Sequence, residues 1–232
     1  MNNNNEKLKL LIKLASYIYF LDGLYLENLQ LRKKDNELEL LKLKVLQCKR
    51  CLLYKSRTNV VFGEGNEKAE LMFVGEAPGY EEDKQARPFV GKAGELLTKI
   101  IQAMGLKRED VYITNVVKCH PGVVPDPNLR NNDRPPSSEE INSCFEYLKQ
   151  QISIIKPKVI CCLGFTATKA LTKNEVPISE LRGKIFEYEV KELNIKIIPT
   201  YHPAALLRNP SLKKYVWQDM KLIMKILNIK KK

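Results

Sequence analysis

The sequence contains no long uncharged apolar run. Its most apolar N-terminal stretch, residues 8–26, is interrupted by two lysines and an aspartate. The longest uncharged part, residues 14–21, is far shorter than the roughly 20 residues that a membrane-spanning helix needs. A secretory signal peptide is also disfavoured, because Lys13 breaks the apolar stretch and no small-residue cleavage site follows. We therefore expect an intracellular, cytoplasmic protein without a membrane span.

Acidic residues and arginines are scarce relative to lysines. The 232 residues include 39 Lys and Arg against 27 Asp and Glu, a formal net charge of +12, and only 9 of the 39 are arginines. A positive surplus favours polyanionic partners, and lysine attracts phosphate without the paired hydrogen bonds of arginine. The charge therefore points to nucleic acid, with simple solubility as the alternative.

Short apolar runs alternate with helical segments from residue 70 onward. Strands are predicted over residues 71–75, 111–117, 159–163, 185–190 and 195–200, and helices over 92–104, 137–155, 165–171 and 210–227. This alternation is typical of a mainly parallel sheet with helices on both faces. Ligands bind such sheets beyond the carboxyl ends of the strands. Residues that directly follow a strand are therefore the candidates for function.

The N-terminal 47 residues have a different pattern. Residues 1–5 form a polar tail with no reason to order, and residues 6–47 carry apolar residues at helical spacing. We expect a helical extension of two helices, which covers the core or, less simply, binds a partner.

Only six cysteines are present, and in a reducing compartment they are metal ligands or nucleophiles more often than disulfides. Cys48 and Cys51 form a CxxC pair, which fits a redox pair, a zinc knuckle or half of an iron–sulfur site. Cys119 ends a predicted strand and Cys144 lies in a predicted helix, whereas residues 161 and 162 lie within a buried strand. The second pair, Cys119 and Cys144, is widely separated in the sequence and does not form a CxxC motif. This separation favours an iron–sulfur cluster over zinc, although the spacing leaves both open.

Histidines are scarcer still, with two in the chain. His202 directly follows a predicted strand at the ligand-binding edge, and His120 lies in a proline-rich loop, where we expect it to be solvated or near the metal site. Glu76 directly follows another strand, Asn115 is a polar residue that closes the apolar strand over residues 111–117, and Phe89 lies in a loop bounded by proline and glycine. Structural roles are the alternative for three of these residues: a helix cap for Glu76, core packing for Phe89 and an exposed structural histidine for His202.

These segments together resemble the family 4 uracil-DNA glycosylases, the thermostable iron–sulfur type. The similarity extends from about residue 48 to the C-terminus, with the motifs in family order. It is carried by Gly75-Glu-Ala-Pro-Gly79, Arg87-Pro-Phe-Val-Gly-Lys-Ala-Gly94, Asn115-Val-Val-Lys-Cys119, His202-Pro-Ala-Ala-Leu-Leu207, and the cysteines Cys48, Cys51 and Cys144. The resemblance implies a glycosylase domain over residues 48–232, with residues 1–47 as the extension outside it.

The fold that the resemblance implies is α/β, a three-layer α/β/α arrangement around a central, mainly parallel four-stranded sheet. The implied activity is hydrolysis of the N-glycosidic bond of deoxyuridine in DNA, which releases uracil and leaves an abasic site. The implied cofactor is a [4Fe-4S] cluster held by Cys48, Cys51, Cys119 and Cys144.

The resemblance also implies a role for each site residue. His202 would donate to uracil O2 as the bond breaks, and Glu76 would stabilise the sugar cation or orient water. The implied uracil-binding set is Gly75, Glu76, Ala77, Glu82, Phe89, Asn115 and His202, and the residues expected to press into the duplex are Leu206, Leu207 and Arg208.

Three positions depart from the family pattern. Ala86 stands where a glycine is usual, the loop from residue 122 to residue 133 is longer than usual, and Gly79 stands where other uracil glycosylases place a tyrosine that excludes the thymine methyl. We expect Glu82 to supply that exclusion.

Two other functions are compatible with parts of this sequence. A non-catalytic, metal-stabilised nucleic-acid-binding module would explain the charge and the cysteines but not Glu76, Asn115 and His202. A relative that traps the flipped sugar covalently uses a histidine in the loop near residues 182–184, and this sequence has none there. We expect a monomer that acts on uracil in single- or double-stranded DNA, is associated with the nucleoid, and meets any replication or repair partner through residues 1–47.

Overall fold

The computed structural model describes residues 37–130, 132–190 and 193–229. The chain divides into two compact units, residues 1–40 and 41–232. The first helix expected in the N-terminal extension lies outside the described residues. The second begins at Glu37 and ends at Leu46 (α1, Glu37–Leu46), and its Leu41 and Val45 are buried one turn apart. The boundary at residue 47 stays a prediction.

The described residues of the second unit form one six-stranded sheet. Its strands are β1 (Glu64–Gly65), β2 (Leu71–Gly75), β3 (Tyr112–Asn115), β4 (Val159–Leu163), β5 (Phe186–Val190) and β6 (Leu193–Thr200), in the spatial order β1-β3-β2-β4-β6-β5. The four central strands run parallel, and the two edge strands pair antiparallel. The predicted parallel four-stranded sheet is therefore confirmed as the centre of a larger, mixed sheet.

Helices lie on both faces of this sheet. Their bounds are α2 (Tyr80–Gln85), α3 (Lys92–Ala103), α4 (Ser138–Ile155), α5 (Phe165–Thr172), α6 (Ile178–Leu181), α7 (Pro203–Arg208) and α8 (Lys213–Ile226). On one face, α3 and α8 bury apolar side chains against alternate residues of the strands, Phe73 and Cys161 among them. On the other face, Gln151 of α4 hydrogen-bonds to Thr114 of β3. The three-layer α/β/α fold is confirmed.

Local sequence explains where these helices begin. Ser137 caps α4, since its hydroxyl accepts from the Glu140 amide while the Glu140 carboxylate accepts from the Ser137 amide. Three short helices, α2, α6 and α7, were not predicted from the periodicity, and two of them, α2 and α7, come after the ends of β2 and β6. These two turn the chain at the carboxyl edge of the sheet, where the candidate residues lie. None of the described helices is both long enough and apolar enough to cross a bilayer.

Candidate active site and cysteine centre

The carboxyl ends of β2 and β3 bring the first two candidate residues together. Gly75 and Asn115 are paired in register at the ends of these parallel strands. Asn115 is only 1% exposed, and among the described residues neither its Nδ2 nor its Oδ1 has a hydrogen-bond partner. An unpaired buried amide costs about 1–3 kcal/mol, so native proteins seldom keep one without a reason. This amide is therefore poised to bind a ligand with one donor and one acceptor side by side.

Phe89 closes the space above that amide. A Cβ at Gly75 would lie 2.3 Å from Asn115 Oδ1 and 2.5 Å from Phe89 Cζ, so only glycine lets the amide and the ring meet here. Phe89 is buried and has a φ of 52°, a left-handed conformation that is uncommon outside glycine. A Cβ at Gly94 would lie 1.8 Å from the Phe89 carbonyl oxygen. Two glycines thus make room for one strained aromatic residue.

Glu82 holds Phe89 in this conformation. One carboxylate oxygen accepts from the Phe89 amide at 2.8 Å, and the other accepts from the Gly79 amide at 3.1 Å. Burial raises the pKa of Glu82 to about 7. The side chain therefore ties the turn after β2 to the loop that carries the ring. Its predicted part in excluding the thymine methyl stays a prediction.

His202 presents a neutral ring to the same space. It caps α7, and its Nδ1 accepts from the Ala204 amide at 3.2 Å. Burial lowers the pKa of His202 to about 4, and the charge of Arg208 acts in the same direction. Because Nδ1 accepts, the single proton of the neutral ring is on Nε2. The ring centroid lies 5.6 Å from that of Phe89, so Nε2–H is available as a donor beside the aromatic ring.

Glu76 is held by a partner that the sequence patterns did not reveal. Thr166, in the first turn of α5, donates a hydrogen bond from its hydroxyl to Glu76 Oε2. The backbone carbonyl of Glu76 accepts from the Val117 amide at 3.0 Å, which fixes the turn after β2. The only sequence signal for Thr166 is its place just after a strand end, and 90 residues separate it from its partner.

The four candidate cysteines line one cavity. Cys48 and Cys51 follow α1, Cys119 follows β3, and Cys144 projects from α4 into the same space. Burial raises the pKa of Cys119 to about 12 and raises that of Cys144 as well. Among the described residues, no three His, Cys, Asp or Glu side chains are arranged to hold a single metal ion. The packing pair at 161 and 162 lies buried within β4, away from this cavity.

Polar groups converge on these sulfur atoms. The Arg57 guanidinium donates to Cys119 Sγ at 3.2 Å, and the Lys118 amide donates to Cys144 Sγ at 3.3 Å. Such bonds stabilise thiolates and tune the metal groups they bind. Burial lowers the pKa of Lys118 to about 7, and the ionisable groups that act against this lowering are Cys144 and Cys119.

Comparison with known proteins identifies the family. The model of the uracil DNA glycosylase superfamily matches residues 62–221. A type-4 uracil-DNA glycosylase of Sulfurisphaera tokodaii is 49% identical over 193 residues, which cover 81% of this chain and 84% of that protein. Type-4 enzymes of Archaeoglobus fulgidus (45% identical, 77% and 87% covered) and Thermotoga maritima (44%, 81% and 93%) are also similar. The chain belongs to the type-4 uracil-DNA glycosylases.

Two expectations about this type-4 glycosylase need correction. Of the two settings expected for His120, solvation is wrong, because the side chain is 3% exposed and its Nε2 lies 2.7 Å from Asp133 Oδ1, whereas a place near the metal site stays a prediction. That hydrogen bond holds the pKa of Asp133 below its usual range. Leu206 does not face solvent for a DNA contact either, since it is 1% exposed and packs in the core. Its neighbours Leu207 and Arg208 are exposed on α7 and stay candidates.

The departure at residue 86 has a structural consequence in this type-4 glycosylase. Ala86 ends α2 with a φ of 54° and a ψ of 25°, the left-handed conformation for which glycine is suited. The longer loop folds back on itself, with an isolated bridge between Gly122 and Asp133. It also contacts α2, because Arg130 lies over the Tyr80 ring.

Proposed function

We propose that this protein is a uracil-DNA glycosylase that hydrolyses the N-glycosidic bond of deoxyuridine in DNA, releasing uracil and leaving an abasic site. The observation that carries the proposal is the buried, unpartnered amide of Asn115 beneath Phe89. A base inside a duplex cannot reach such a pocket, so the nucleotide must be flipped out or be presented by a single strand.

Base recognition follows from the amide. Asn115 Oδ1 accepts from uracil N3–H, Nδ2 donates to O4, and the Phe89 ring stacks on the base. Cytosine presents the opposite pattern at these two atoms and would leave the buried amide unpaired, which is strongly unfavourable. The backbone of residues 75–77 lines the pocket. Because Glu82 fixes the spacing of the two loops, we assign to it the exclusion of the thymine methyl through the width of the pocket.

Bond cleavage needs stabilisation of charge on both fragments. The leaving uracil gathers negative charge at O2, and His202 donates to that atom from Nε2 as a neutral ring. A donor placed for developing charge lowers the barrier more than it strengthens substrate binding. Glu76 acts on the sugar side, as counter-charge to the sugar cation or by orienting the attacking water. Both roles need an ionised carboxylate, which the Thr166 hydroxyl holds in place.

We assign a [4Fe-4S] cluster to Cys48, Cys51, Cys119 and Cys144. The shared cavity of the four cysteines and the donors to Cys119 and Cys144 fit this group. When bound, the cluster would supply a structural cross-link. The cysteines themselves connect the segment after α1, the end of β3 and the middle of α4, and β3 carries Asn115.

DNA contacts are proposed for α7 and for the lysine surplus. Leu207 would occupy the space that the flipped base leaves, and Arg208 would contact the strand. Lysine contacts with phosphate supply affinity that depends on salt and not on sequence. A monomer in the cytoplasm, associated with the nucleoid, and partner binding through residues 1–47 stay predictions.

The test is release of uracil from single- and double-stranded oligonucleotides by the iron-containing protein. Asn115→Asp should reduce release by orders of magnitude, because a carboxylate cannot donate to O4, while duplex binding at low salt changes little. Asn128→Asp, the same change in an exposed loop, is the matched control. Release at the parent rate by Asn115→Asp would refute the pocket assignment.

The same experiment separates the alternatives. No release by the iron-loaded parent at any temperature from 25 °C upward would favour a non-catalytic DNA-binding module. A protein–DNA adduct that survives denaturing electrophoresis would instead show covalent trapping of the sugar.

A further inference from the structure

The side-chain nitrogen of Lys118 is buried, and it has three hydrogen-bond acceptors but no carboxylate partner among its described contacts. Lys118 is 1% exposed. Its Nζ lies 2.6 Å from each of three acceptors: Thr114 Oγ1, the Asn115 carbonyl oxygen and Gln151 Oε1. Three acceptors match the three N–H groups of an ammonium ion. Because all three acceptors are neutral, they leave the charge of that ion uncompensated. An isolated charge is costly to bury, and proteins normally keep one only beside an opposite charge.

The surroundings of Lys118 indicate where the opposite charge comes from. Lys118 lines the cavity of the four cysteines, its amide donates to Cys144 Sγ, and the next residue is Cys119. Four thiolates carry more negative charge than the core of a [4Fe-4S] cluster neutralises, so the ligated group is a net anion. The buried ammonium and this anion would stabilise each other in a region of low dielectric constant.

We propose that Lys118 is the buried counter-charge of the metal cluster and, through its bond to the Asn115 carbonyl, a positioning residue that links the cluster to the base-reading strand. The inference rests on the proposed cluster. It goes beyond a packing role because the ammonium bonds to the Asn115 carbonyl, and the residue that follows Lys118 is the cluster ligand Cys119. Gln151 orients the ammonium. Its Nε2 donates to the Phe62 carbonyl, and this bond fixes the position of the Oε1 that accepts from Lys118.

The closing experiment measures the cluster directly. Holoprotein carrying Lys118→Met is compared with the parent for midpoint potential, by spectroelectrochemistry, and for the rate at which a chelator bleaches the absorbance near 400 nm. Loss of a nearby buried positive charge should disfavour reduction by about tenfold, or about 59 mV for one electron. Bleaching should be faster by a similar factor. Lys118→Gln, which keeps a hydrogen-bond donor and removes the charge, should behave alike.

Two controls separate charge from structure. Lys49→Met removes a lysine beside the CxxC cysteines that is solvent-exposed, and its screened charge should leave the potential near that of the parent. Gln151→Leu removes one hydrogen-bond partner of Lys118 and keeps the charge, so it should also leave the potential nearly unchanged. If both neutral Lys118 variants lose iron while these controls retain it, the counter-charge is equally supported.

Other outcomes would overturn the proposal. A parent-like potential and bleaching rate in Lys118→Met would show that the ammonium has no electrostatic role, even if uracil release had confirmed the proposed function. Equal effects in Gln151→Leu and Lys118→Met would assign the effect to hydrogen bonding alone. If the iron-free parent still releases uracil, the cluster assignment and this inference are refuted, whereas the proposed glycosylase activity is confirmed.

Discussion

Replacing His202 with alanine tests the chemistry most directly. Nδ1 is engaged with the Ala204 amide, so Nε2–H is the one donor that the ring can offer to the base. Loss of one donor aimed at developing negative charge costs about 100- to 1000-fold in rate, or about 3 kcal/mol of barrier. The ring is half-buried at the pocket edge, so its removal should disturb folding much less than it disturbs the reaction.

The assay is single-turnover cleavage of a uracil-containing oligonucleotide, with binding measured separately. His202→Ala should bind the oligonucleotide nearly as the parent does and cleave it at least 100-fold more slowly. The control is His120→Ala, which removes the other histidine. That variant leaves Asp133 without its partner and should lose stability, yet its rate per iron-loaded molecule should stay near that of the parent. Equal losses of rate in the two variants would show that His202 has a structural role and not a catalytic one.

The pH dependence of stability tests the protonation state of the same ring. The pKa of His202 is lowered to about 4 from an ordinary value of 6.5, so below pH 6.5 the unfolded chain binds this proton more readily than the folded one. The contribution to stability is therefore fully present above pH 6.5 and is lost as the pH falls towards 4, by up to about 3 kcal/mol. Urea unfolding at pH 7.5 and 4.5, with iron content followed, should show a smaller loss in His202→Ala than in the parent. Equal losses would contradict a buried neutral imidazole.

Three further predictions concern the supports of the site. Thr166→Val should reduce kcat, because the Glu76 carboxylate loses the hydroxyl that holds it in place, while Thr166→Ser should restore kcat; a parent-like kcat in the valine variant would exclude positioning by Thr166. Ala86→Gly should raise the free energy of unfolding by about 0.5–1 kcal/mol in urea, because glycine adopts the left-handed conformation freely, and a loss of stability would contradict this. Cys144→Ser should lower the iron content and the melting temperature before it affects the rate per iron-loaded molecule, whereas parent-like iron content would remove Cys144 from the ligand set.

Sequence patterns predicted those parts of the fold that depend on local chemistry. The strands over 71–75 and 159–163 have the bounds expected, because a short continuous apolar run that ends at a glycine or proline can form few structures other than a buried strand. The long helix α4 follows its capping box to within a residue. In contrast, α2 and α7 have six residues each, too few for a periodicity to be recognised.

The supporting residues of the site were not predictable in the same way. Thr166 meets Glu76, and Lys118 meets Gln151, only because distant segments pack together. His120 follows a strand in a proline-rich stretch, and nothing in its neighbourhood indicates that Asp133 folds back to bury it. Leu206 belongs to a motif associated with DNA, yet its place on α7 turns it into the core. Motifs thus identified the groups that meet the substrate better than the groups that hold them.

Several features of the pocket are unfavourable for the free protein. Asn115 keeps an unpaired buried amide, Phe89 occupies a left-handed conformation, and His202 is held neutral far below its ordinary pKa. The first two lower stability at any pH and the third does so below pH 6.5, and all three lie at the carboxyl edge of the sheet. Such costs persist only where the surrounding structure over-determines the geometry. Here Glu82, Gly75 and the core beneath the sheet do so. Uracil would remove the first cost by pairing with the amide, whereas thymine or cytosine would add a new one. Selectivity for uracil therefore arises because the Asn115 amide has no hydrogen-bond partner until the base binds.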